Sequence, residues 1–321
     1  MPVIHSLPIK SKLKCGDMID SENGLGRPLG KYALISAARN EENYIERTIQ
    51  AVIAQSYPPV QWLIVSDGST DRTDDIVQWY ALRQPFIKLI RIQPDSERNF
   101  GSKAHAINTG YDQLKAIPHD FIGILDVDVT FGPDYYEKVV YHMGKRPDLG
   151  IAGGILYDSW KGRFIRQTTN IRWSVSGPIQ MFRKECWQQI GGYLRVRGGI
   201  DAVAEVMARM NGWKVRAYPE LLVWHHRKTG SENHGLLAMS LRRGIEDYEI
   251  GYHPLFFLFS AMRRFNDKPR IFGSITMMIG YLGACLSKQR RIVPDEFIRF
   301  LHHEQIIRLR RVLSRNYGIS I

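Results

Sequence analysis

Cysteine is scarce in this sequence, and its scarcity excludes two kinds of architecture. The three cysteines, Cys15, Cys186 and Cys285, lie far apart and form no CxxC pair. An odd number of isolated cysteines does not build a disulfide scaffold or a cysteine zinc site, and it suits a reducing compartment. With 44% hydrophobic and 24% charged residues in a chain of 321, the sequence is neither intrinsically disordered nor collagen-like.

Acidic residues are too few to balance the basic ones. The sequence has 44 Lys and Arg against 32 Asp and Glu, a net charge of +12. Such an excess predicts a polyanion or an anionic membrane surface as partner. A net charge of +7 lies within residues 236–321, where the basic residues flank apolar runs. Because no nucleic-acid recognition motif accompanies them, we expect a membrane surface and no nucleic acid.

Long apolar runs are also missing. The N-terminus has no apolar stretch of signal-peptide length, so we expect a cytoplasmic protein, peripheral at the inner face of the cell membrane. The longest uncharged run, residues 271–287, is close to the lower bound of about 17 residues for a spanning helix. This run and a shorter one at 250–262 are both followed by basic residues. That pattern favours helices in a membrane interface, with a buried helix or a span as alternatives.

Strand and helix patterns alternate from Lys31 onward. Short apolar runs predict four strands, and apolar residues at helical spacing predict three helices between them. The strands are Tyr32–Ser36, Trp62–Val65, Ile87–Arg91 and Phe121–Leu125, and the helices are Glu41–Gln55, Asp71–Leu82 (with Ser69 or Thr70 as N-cap) and Ala104–Leu114. This order predicts an α/β sandwich with a mainly parallel, Rossmann-like sheet that binds ligands at the carboxyl ends of its strands.

Two aspartates close the fourth predicted strand, in the segment Ile124-Leu-Asp126-Val-Asp128-Val. Residues two apart on an extended chain share a face. The carboxylates of Asp126 and Asp128 can therefore converge on one hard cation, Mg²⁺ or Mn²⁺. A cation held in this way can also bind a diphosphate. The alternative is a pair of solvated acids at the end of a strand.

Polar segments also follow the first two predicted strands. Asp67 ends the second strand just before Gly68, where a carboxylate can accept hydrogen bonds from a nucleobase or a ribose. Asp71 is better explained by a position in the first turn of a helix, where its charge favours the helix dipole. Residues 36–42 (SAARNEE) join the first strand to a helix, which is a place for ligand contact or simply for acids at a helix start.

In this order and spacing, these three segments resemble the inverting glycosyltransferases of family 2, which have the GT-A fold. SAARNEE is similar to that family's donor loop, VSDGSTDRT to its nucleotide motif and LDVDV to its DxD metal motif. Residues 101–110 and 177–193 also resemble family segments, the second of them on the acceptor side. The resemblance covers about residues 31–235.

The resemblance implies two sets of binding residues. Those around the nucleotide are Ala38, Arg39, Glu41, Asp67, Lys103 and Asp126. Those that hold the metal, Mg²⁺ or Mn²⁺, are Asp126, Asp128 and His226, with Asp128 the more direct ligand. The histidine comes from the segment Trp224-His225-His226-Arg227-Lys228, in which either His225 or His226 can approach the metal and the two basic residues can contact phosphate.

The resemblance also implies a catalytic base. Asp201 stands at the spacing that the family shows before its Gly-aromatic pair, here Gly212-Trp213. The family's usual Glu-Asp pair is Ile200-Asp201 in this chain, so Glu205, one helical turn later, is the alternative. A base is needed because a sugar hydroxyl is a poor nucleophile at neutral pH. The implied reaction is a single displacement with inversion at the anomeric carbon, in which the metal neutralises the departing diphosphate.

The implied function is transfer of a sugar from a nucleotide-diphosphate sugar to a hydroxyl of a sugar or lipid-linked acceptor, in polysaccharide or glycolipid assembly. We expect an irregular N-terminal arm over residues 1–30, a GT-A catalytic domain over 31–235 and a basic, helical C-terminal extension over 236–321. Two other functions stay open. The first is a nucleotidyltransferase, which needs a glycine-rich loop after the first strand that SAARNEEN lacks. The second is a GT-A scaffold without activity, which would not need the acids Asp67, Asp126, Asp128 and Asp201 that this chain has.

Overall fold

The computed structural model describes residues 30–93, 100–160, 162–167, 172–227, 235–265 and 271–317. The predicted N-terminal arm lies outside these residues, apart from Gly30. The strands are β1 (Tyr32–Ala38), β2 (Gln61–Asp67), β3 (Ile87–Ile92), β4 (Phe121–Leu125), β5 (Val129–Phe131), β6 (Leu149–Trp160), β7 (Arg163–Arg166), β8 (Ile179–Arg183) and β9 (Lys214–His225). They form one sheet in the order β3-β2-β1-β4-β8-β6-β9-β5, and β7 pairs with β6.

Helices cover the sheet and continue beyond it toward the C-terminus. They are α1 (Ile45–Ile53), α2 (Thr73–Ala81), α3 (Phe100–Leu114), α4 (Tyr135–Lys145), α5 (Lys184–Ile190), α6 (Ile200–Met210), α7 (Leu236–Glu249), α8 (Pro254–Arg263), α9 (Ile271–Leu286) and α10 (Asp295–Tyr317). Among the described helices, none has the length and apolar character needed to cross a membrane.

The first four strands confirm the predicted α/β organisation. β1 pairs in parallel with β2 and β4, and β2 pairs in parallel with β3. β1, β2 and β4 are buried along nearly their whole length, as expected of central strands covered on both faces. From β8 onward the sheet becomes mixed, because β8 runs antiparallel to both β4 and β6. The predicted α/β fold is thus present, with a larger antiparallel part than expected.

The start of α2 differs from the prediction that Ser69 or Thr70 is its N-cap. The helix begins at Thr73, and the Oδ1 atom of Asp71 accepts hydrogen bonds from the backbone N–H and the hydroxyl of Thr73, at 3.0 and 2.5 Å. The backbone N–H of Asn40 donates to the Ser69 hydroxyl at 3.3 Å, and Asn40 Oδ1 accepts from the Thr70 N–H at 2.8 Å. Both residues therefore tie the loop after β1 to the loop after β2.

The C-terminal helices share a core with the sheet. Val293, Phe297, Ile298 and Leu301 belong to the same buried cluster as the apolar residues of β1, β2 and β4. A bidentate pair also joins Arg209 of α6 to Glu304 of α10, with nitrogen–oxygen distances of 2.7 and 3.1 Å. A domain boundary near residue 235 stays a prediction, but no gap in packing accompanies it in the described part of the chain.

α7, α8 and α9 enclose a smaller core of their own. It consists of Tyr248, Phe257, Ala261, Met277, Tyr281 and Ala284. α7 and α9 cross with their backbones in direct contact, because a Cβ on Gly244 would overlap the carbonyl oxygen of Met277 and a Cβ on Gly280 would overlap that of Leu241. Glycine at both positions is therefore what allows this crossing.

Candidate active site

The residues predicted to bind the nucleoside meet at the carboxyl ends of β1 and β2. Ala38 ends β1 and Asp67 ends β2, and both are buried. Arg39, which follows Ala38, places its Nη1 atom 3.5 Å from Asp67 Oδ2. The backbone N–H of Glu41 donates to the Thr73 hydroxyl at 2.7 Å, which fixes the loop after β1. The structure therefore brings these four predicted residues to one edge of the sheet.

Lys103 lies among the acidic residues of the predicted site. It projects from α3 and forms an ion pair with Asp126, which directly follows β4. Burial acts to lower the pKa of Lys103, but the charges of Asp126, Asp128 and Asp201 outweigh it and raise that pKa. Lys103 is therefore charged at neutral pH and experiences the field of all three carboxylates.

Asp128 is buried, and its two oxygens have different surroundings. Oδ2 lies 3.2 Å from His225 Nε2 and 3.4 Å from Arg227 Nε. Oδ1 is buried and has no hydrogen-bond partner among the described residues. Burial raises the pKa of Asp128, but the hydrogen bond from His225 and the charges of His225 and Arg227 lower it further than burial raises it. A buried carboxylate oxygen of this kind is able to accept a bond from a cation or a hydrogen-bond donor.

His225 bridges two carboxylates. Its Nδ1 atom lies 2.8 Å from Asp158 Oδ1, and its Nε2 atom faces Asp128. The side-chain amide of Gln167 donates to the same Asp158 oxygen at 2.9 Å. Burial lowers the pKa of His225, but the hydrogen bonds to Asp128 and Asp158 raise it to about 9. The imidazole is therefore held from both sides, and the two carboxylates favour its protonated form.

His226, the histidine predicted to hold the metal, is placed differently. Its Nε2 atom shares a hydrogen bond with the Thr130 hydroxyl at 2.8 Å, and its ring meets Phe164 edge-on. Neighbouring side chains of an extended chain point to opposite sides, so one of the two histidines faces Asp128 and the other does not. The described contacts assign that position to His225.

Asp201 lies in the first turn of α6, across from Lys103. Its Oδ2 atom accepts the backbone N–H of Gly177 at 3.0 Å. Glu205, the alternative base, is buried below it and accepts the backbone N–H of Val175 at 2.5 Å. Burial raises the pKa of Glu205 to about 7. The hydrogen bond from Val175 makes Glu205 a support of the loop before β8. Asp201 instead acts on Lys103 through its charge.

Arg227 connects the two halves of the site. It forms an ion pair with Glu41 of the loop after β1, and its guanidinium lies 4.9 Å from the centre of the Tyr44 ring. The same guanidinium reaches Asp128. The predicted phosphate contact from Lys228 lies outside the described residues.

Comparisons with known proteins decide what this constellation belongs to. The family model "Glycosyl transferase family 2" matches residues 34–200, which is more than half of the chain. The chain belongs to glycosyl transferase family 2. The match spans the donor loop, the VSDGSTDRT segment and the LDVDV segment, and it confirms the family predicted from them.

Relatives and solved structures agree with this membership. The family 2 chain is 26% identical over 222 residues to the poly-beta-1,6-N-acetyl-D-glucosamine synthase of Staphylococcus epidermidis. The matched region covers 69% of this chain and 48% of that protein. It therefore spans about half the length of the curated relatives that it matches. Its fold is similar to that of the mannosyltransferase PcManGT from Pyrobaculum calidifontis in complex with GDP-Man and Mn²⁺ (TM-score 0.53, 15% identity, 91% of this chain and 88% of that chain). The fold is also similar to that of TarS 1–349 of Staphylococcus aureus in complex with UDP-GlcNAc. The TM-score is 0.52 at 15% identity, and the match covers 84% of this chain and 78% of that chain. These likenesses confirm the GT-A fold.

The donor atoms of this family 2 site fit a hard divalent cation. Asp126 and Asp128 offer carboxylate oxygens, and the buried Oδ1 of Asp128 lacks a partner among the described residues. The described part of the chain contains no group of three or more His, Cys, Asp or Glu residues arranged to hold a metal ion by themselves. Mg²⁺ in nucleotide sites usually takes one or two carboxylates together with the phosphates of the substrate. Two acids and an available oxygen meet that requirement.

Sequence reasoning did not find Asp158. It stands on β6, far from every motif in the chain, and only the pairing of β6 with β9 places it opposite His225. Its local sequence, Tyr157-Asp158-Ser159, carries no metal or nucleotide signature. The supporting role of Gln167 is hidden for the same reason. The one available signal was the polar residue at the end of a strand that is otherwise apolar.

Proposed function

We propose that this family 2 chain transfers a sugar from a nucleotide-diphosphate sugar to an acceptor hydroxyl, with a divalent cation and with inversion at the anomeric carbon. The observation that carries the proposal is the position of Lys103, which pairs with Asp126 and experiences the charges of Asp128 and Asp201. This influence of three carboxylates on one ammonium group supports a shared site for the two proposed metal ligands and the proposed base. The donor and acceptor sides of the reaction then meet there.

The nucleoside is proposed to occupy the edge formed by Ala38, Arg39, Glu41 and Asp67. Asp67 accepts hydrogen bonds from the base or the ribose, and Arg39 lies close enough to hold its carboxylate in place. Asp126 and Asp128 would hold Mg²⁺ or Mn²⁺, whose charge neutralises the diphosphate when it is bound. His225, in place of the predicted His226, is proposed as the histidine beside the cation, because its Nε2 atom lies 3.2 Å from Asp128 Oδ2.

Asp201 is proposed to take the proton of the acceptor hydroxyl. As the hydroxyl oxygen bonds to the anomeric carbon, the bond from that carbon to the diphosphate oxygen breaks, and the proton passes to the carboxylate. The Gly177 N–H holds one oxygen of Asp201, which orients the carboxylate for the transfer. Positioning of this kind is what makes a general base effective.

The acceptor is proposed to be a sugar or a lipid-linked sugar, in polysaccharide or glycolipid assembly at the inner face of the cell membrane. The relative from Staphylococcus epidermidis is named as a polysaccharide synthase, which supports this acceptor class. The basic, apolar character of residues 236–321 supports a location at a membrane surface. The extension after residue 235 is proposed to serve that location.

Calorimetric titration of the full chain with UDP, GDP and dTDP, with and without Mn²⁺, tests the donor site. We expect Mn²⁺-dependent binding of one nucleotide and its loss in Asp128→Asn. Asp134→Asn, an exposed acid six residues later, is the matched control and should bind normally. Thermal unfolding of each variant separates loss of binding from loss of fold.

Two results would contradict the proposal. A folded protein that binds no nucleotide under either metal condition would be a GT-A scaffold without activity. Release of pyrophosphate from a nucleoside triphosphate and a sugar phosphate, with no release of a nucleoside diphosphate from a nucleotide sugar, would identify a nucleotidyltransferase.

A further inference from the structure

The outward sides of α7, α8 and α9 carry large apolar side chains, which together we call the apolar face. Its members are Leu236, Leu237 and Leu241 on α7, Leu255, Leu258 and Met262 on α8, and Ile271, Phe272, Ile275, Ile279, Leu282 and Leu286 on α9. The α9 members are between 42% and 83% exposed. From Phe272 to Leu286 they recur at three- or four-residue spacing, with Ile271 beside Phe272, so they form one stripe along the helix.

The opposite side of α9 is already buried against its neighbours. Met277, Tyr281 and Ala284 pack into the core of the three helices, and the ring of Phe257 from α8 stacks on that of Tyr281 with centroids 4.0 Å apart. The helix is thus apolar on the side that packs and on the side that does not. An ordinary surface helix carries polar residues on its outward side. A group of large exposed apolar side chains, such as this one, marks an interaction site.

Exposed apolar residues are concentrated in this region. Among the residues that the structure describes, 13 of the 21 exposed large hydrophobic ones lie between Leu236 and Leu286. The remaining eight are spread over the rest of the described chain, as is normal for single surface residues. The concentration therefore belongs to the three helices and is not a general property of the surface.

Basic residues stand at the ends of the apolar helices. Arg263 and Arg264 end α8, while Lys288, Arg290 and Arg291 follow α9. Between Ile250 and Pro294 the sequence has seven Lys and Arg and one acidic residue, Asp267. An apolar stripe bordered by cations matches the layered chemistry of an anionic bilayer, in which phosphates surround an acyl interior.

We propose that the apolar face docks on an anionic lipid bilayer, with its side chains among the acyl chains and its flanking arginines and lysine on the lipid phosphates. A second copy of the chain could cover the same side chains, but it would bring the basic residues at the ends of α8 and α9 of both copies close together. A bilayer supplies the opposite charge. The apolar face is then the surface by which the protein reaches the proposed membrane location. This proposal rests on the membrane part of the proposed function and on no catalytic residue.

Vesicle flotation of the full chain tests the docking. The probes are vesicles of phosphatidylcholine alone and vesicles with about 30 mol% phosphatidylglycerol. We expect at least about tenfold stronger binding to the anionic vesicles, which falls as salt is raised because the charge contacts are exposed.

Two variants locate the contact. The double change Phe272→Ser and Ile279→Ser should reduce vesicle binding at least about tenfold, while Leu82→Ser, at a leucine that is 75% exposed at the end of α2, should not. Arg263→Glu with Arg290→Glu should remove the preference for anionic lipid, while Lys88→Glu with Lys145→Glu, both exposed elsewhere, should keep it.

Three results would overturn the proposal. They are no binding to either kind of vesicle, equal binding to both kinds, and a concentration-dependent dimer that the Phe272 and Ile279 changes dissociate without any effect on vesicles. Asp128→Asn should float with vesicles as the unaltered chain does. Loss of nucleotide binding with vesicle binding retained, or the reverse, therefore shows which of the two proposals fails.

Discussion

At the scale of single residues, Asp158 determines how His225 is presented to Asp128. A carboxylate on Nδ1 fixes the orientation of the ring and directs Nε2 toward the candidate metal position. A carboxylate that holds the far nitrogen of a histidine near a metal changes metal affinity about 10- to 100-fold when it is removed. The arrangement in this chain is therefore more than a surface ion pair, because both His225 and Asp128 are buried.

We expect Asp158→Asn to weaken Mn²⁺ binding in the presence of saturating nucleotide by about 10- to 100-fold. Electron paramagnetic resonance of free Mn²⁺ measures this directly, without any turnover. Asp148→Asn, an acid that pairs with Lys214 on the surface, serves as the control and should change nothing. Unaltered Mn²⁺ affinity in Asp158→Asn would exclude this positioning role.

Glu205 couples stability to pH. Its pKa is raised from 4.5 to about 7 by burial, so the folded protein keeps a proton that the unfolded chain has lost between these values. Stability should therefore fall as pH rises from 4.5 to 7, by about 3 kcal/mol in total. We expect Glu205→Gln, which keeps an acceptor for the Val175 N–H, to abolish that part of the pH dependence and to be the more stable protein at pH 8.

Urea unfolding of the two proteins at pH 5 and pH 8 measures the effect. The exposed Glu220→Gln provides the control, since its side chain is 57% exposed and should follow the unaltered protein at both pH values. Parallel loss of stability in all three proteins would place the pH dependence in other groups.

At the scale of elements, the crossing of α7 and α9 depends on glycine. We expect Gly280→Ala to destabilise the protein by about 1–3 kcal/mol, because the added methyl meets the α7 backbone at Leu241 and the helices must separate. Gly283→Ala on the same helix has nothing within 4 Å of its Cβ. It should stabilise the protein by up to about 1 kcal/mol through helix propensity. Equal thermal shifts in the two variants would show that the crossing tolerates a side chain.

The elements also show how far the sequence could be read. β1, β2, β3 and β4 were predicted to within two residues, since each is a short apolar run between polar segments. Asp67 ends β2 and Asp126 directly follows β4, so that edge of the site followed from local patterns. The pairing of β6 with β9 did not, because it depends on contacts between distant segments. The contact between Asp158 and His225 follows from that pairing.

At the scale of the whole molecule, α10 and the segment before it complete the core of the sheet. Leu301 of α10 is buried in the same cluster as Ile35 and Val65. We expect Leu301→Ala to cost about 2–5 kcal/mol in one cooperative transition, and a chain ending at residue 235 to fail to unfold cooperatively at all. Circular dichroism and tryptophan fluorescence during urea unfolding check this. Two separate transitions in the full chain would instead support an independent C-terminal unit.

Arg227 has a consequence for the order of events at the site. One guanidinium pairs with Glu41, at the proposed nucleoside edge, and with Asp128, a proposed metal ligand. Whatever changes its hold on one acid changes its hold on the other. By thermodynamic reciprocity, a cation that improves nucleotide affinity must gain affinity from the nucleotide by the same factor. If both ligands bind as proposed, they form one cooperative unit. Arg227→Gln should then reduce the factor by which Mn²⁺ raises nucleotide affinity, as measured by calorimetry.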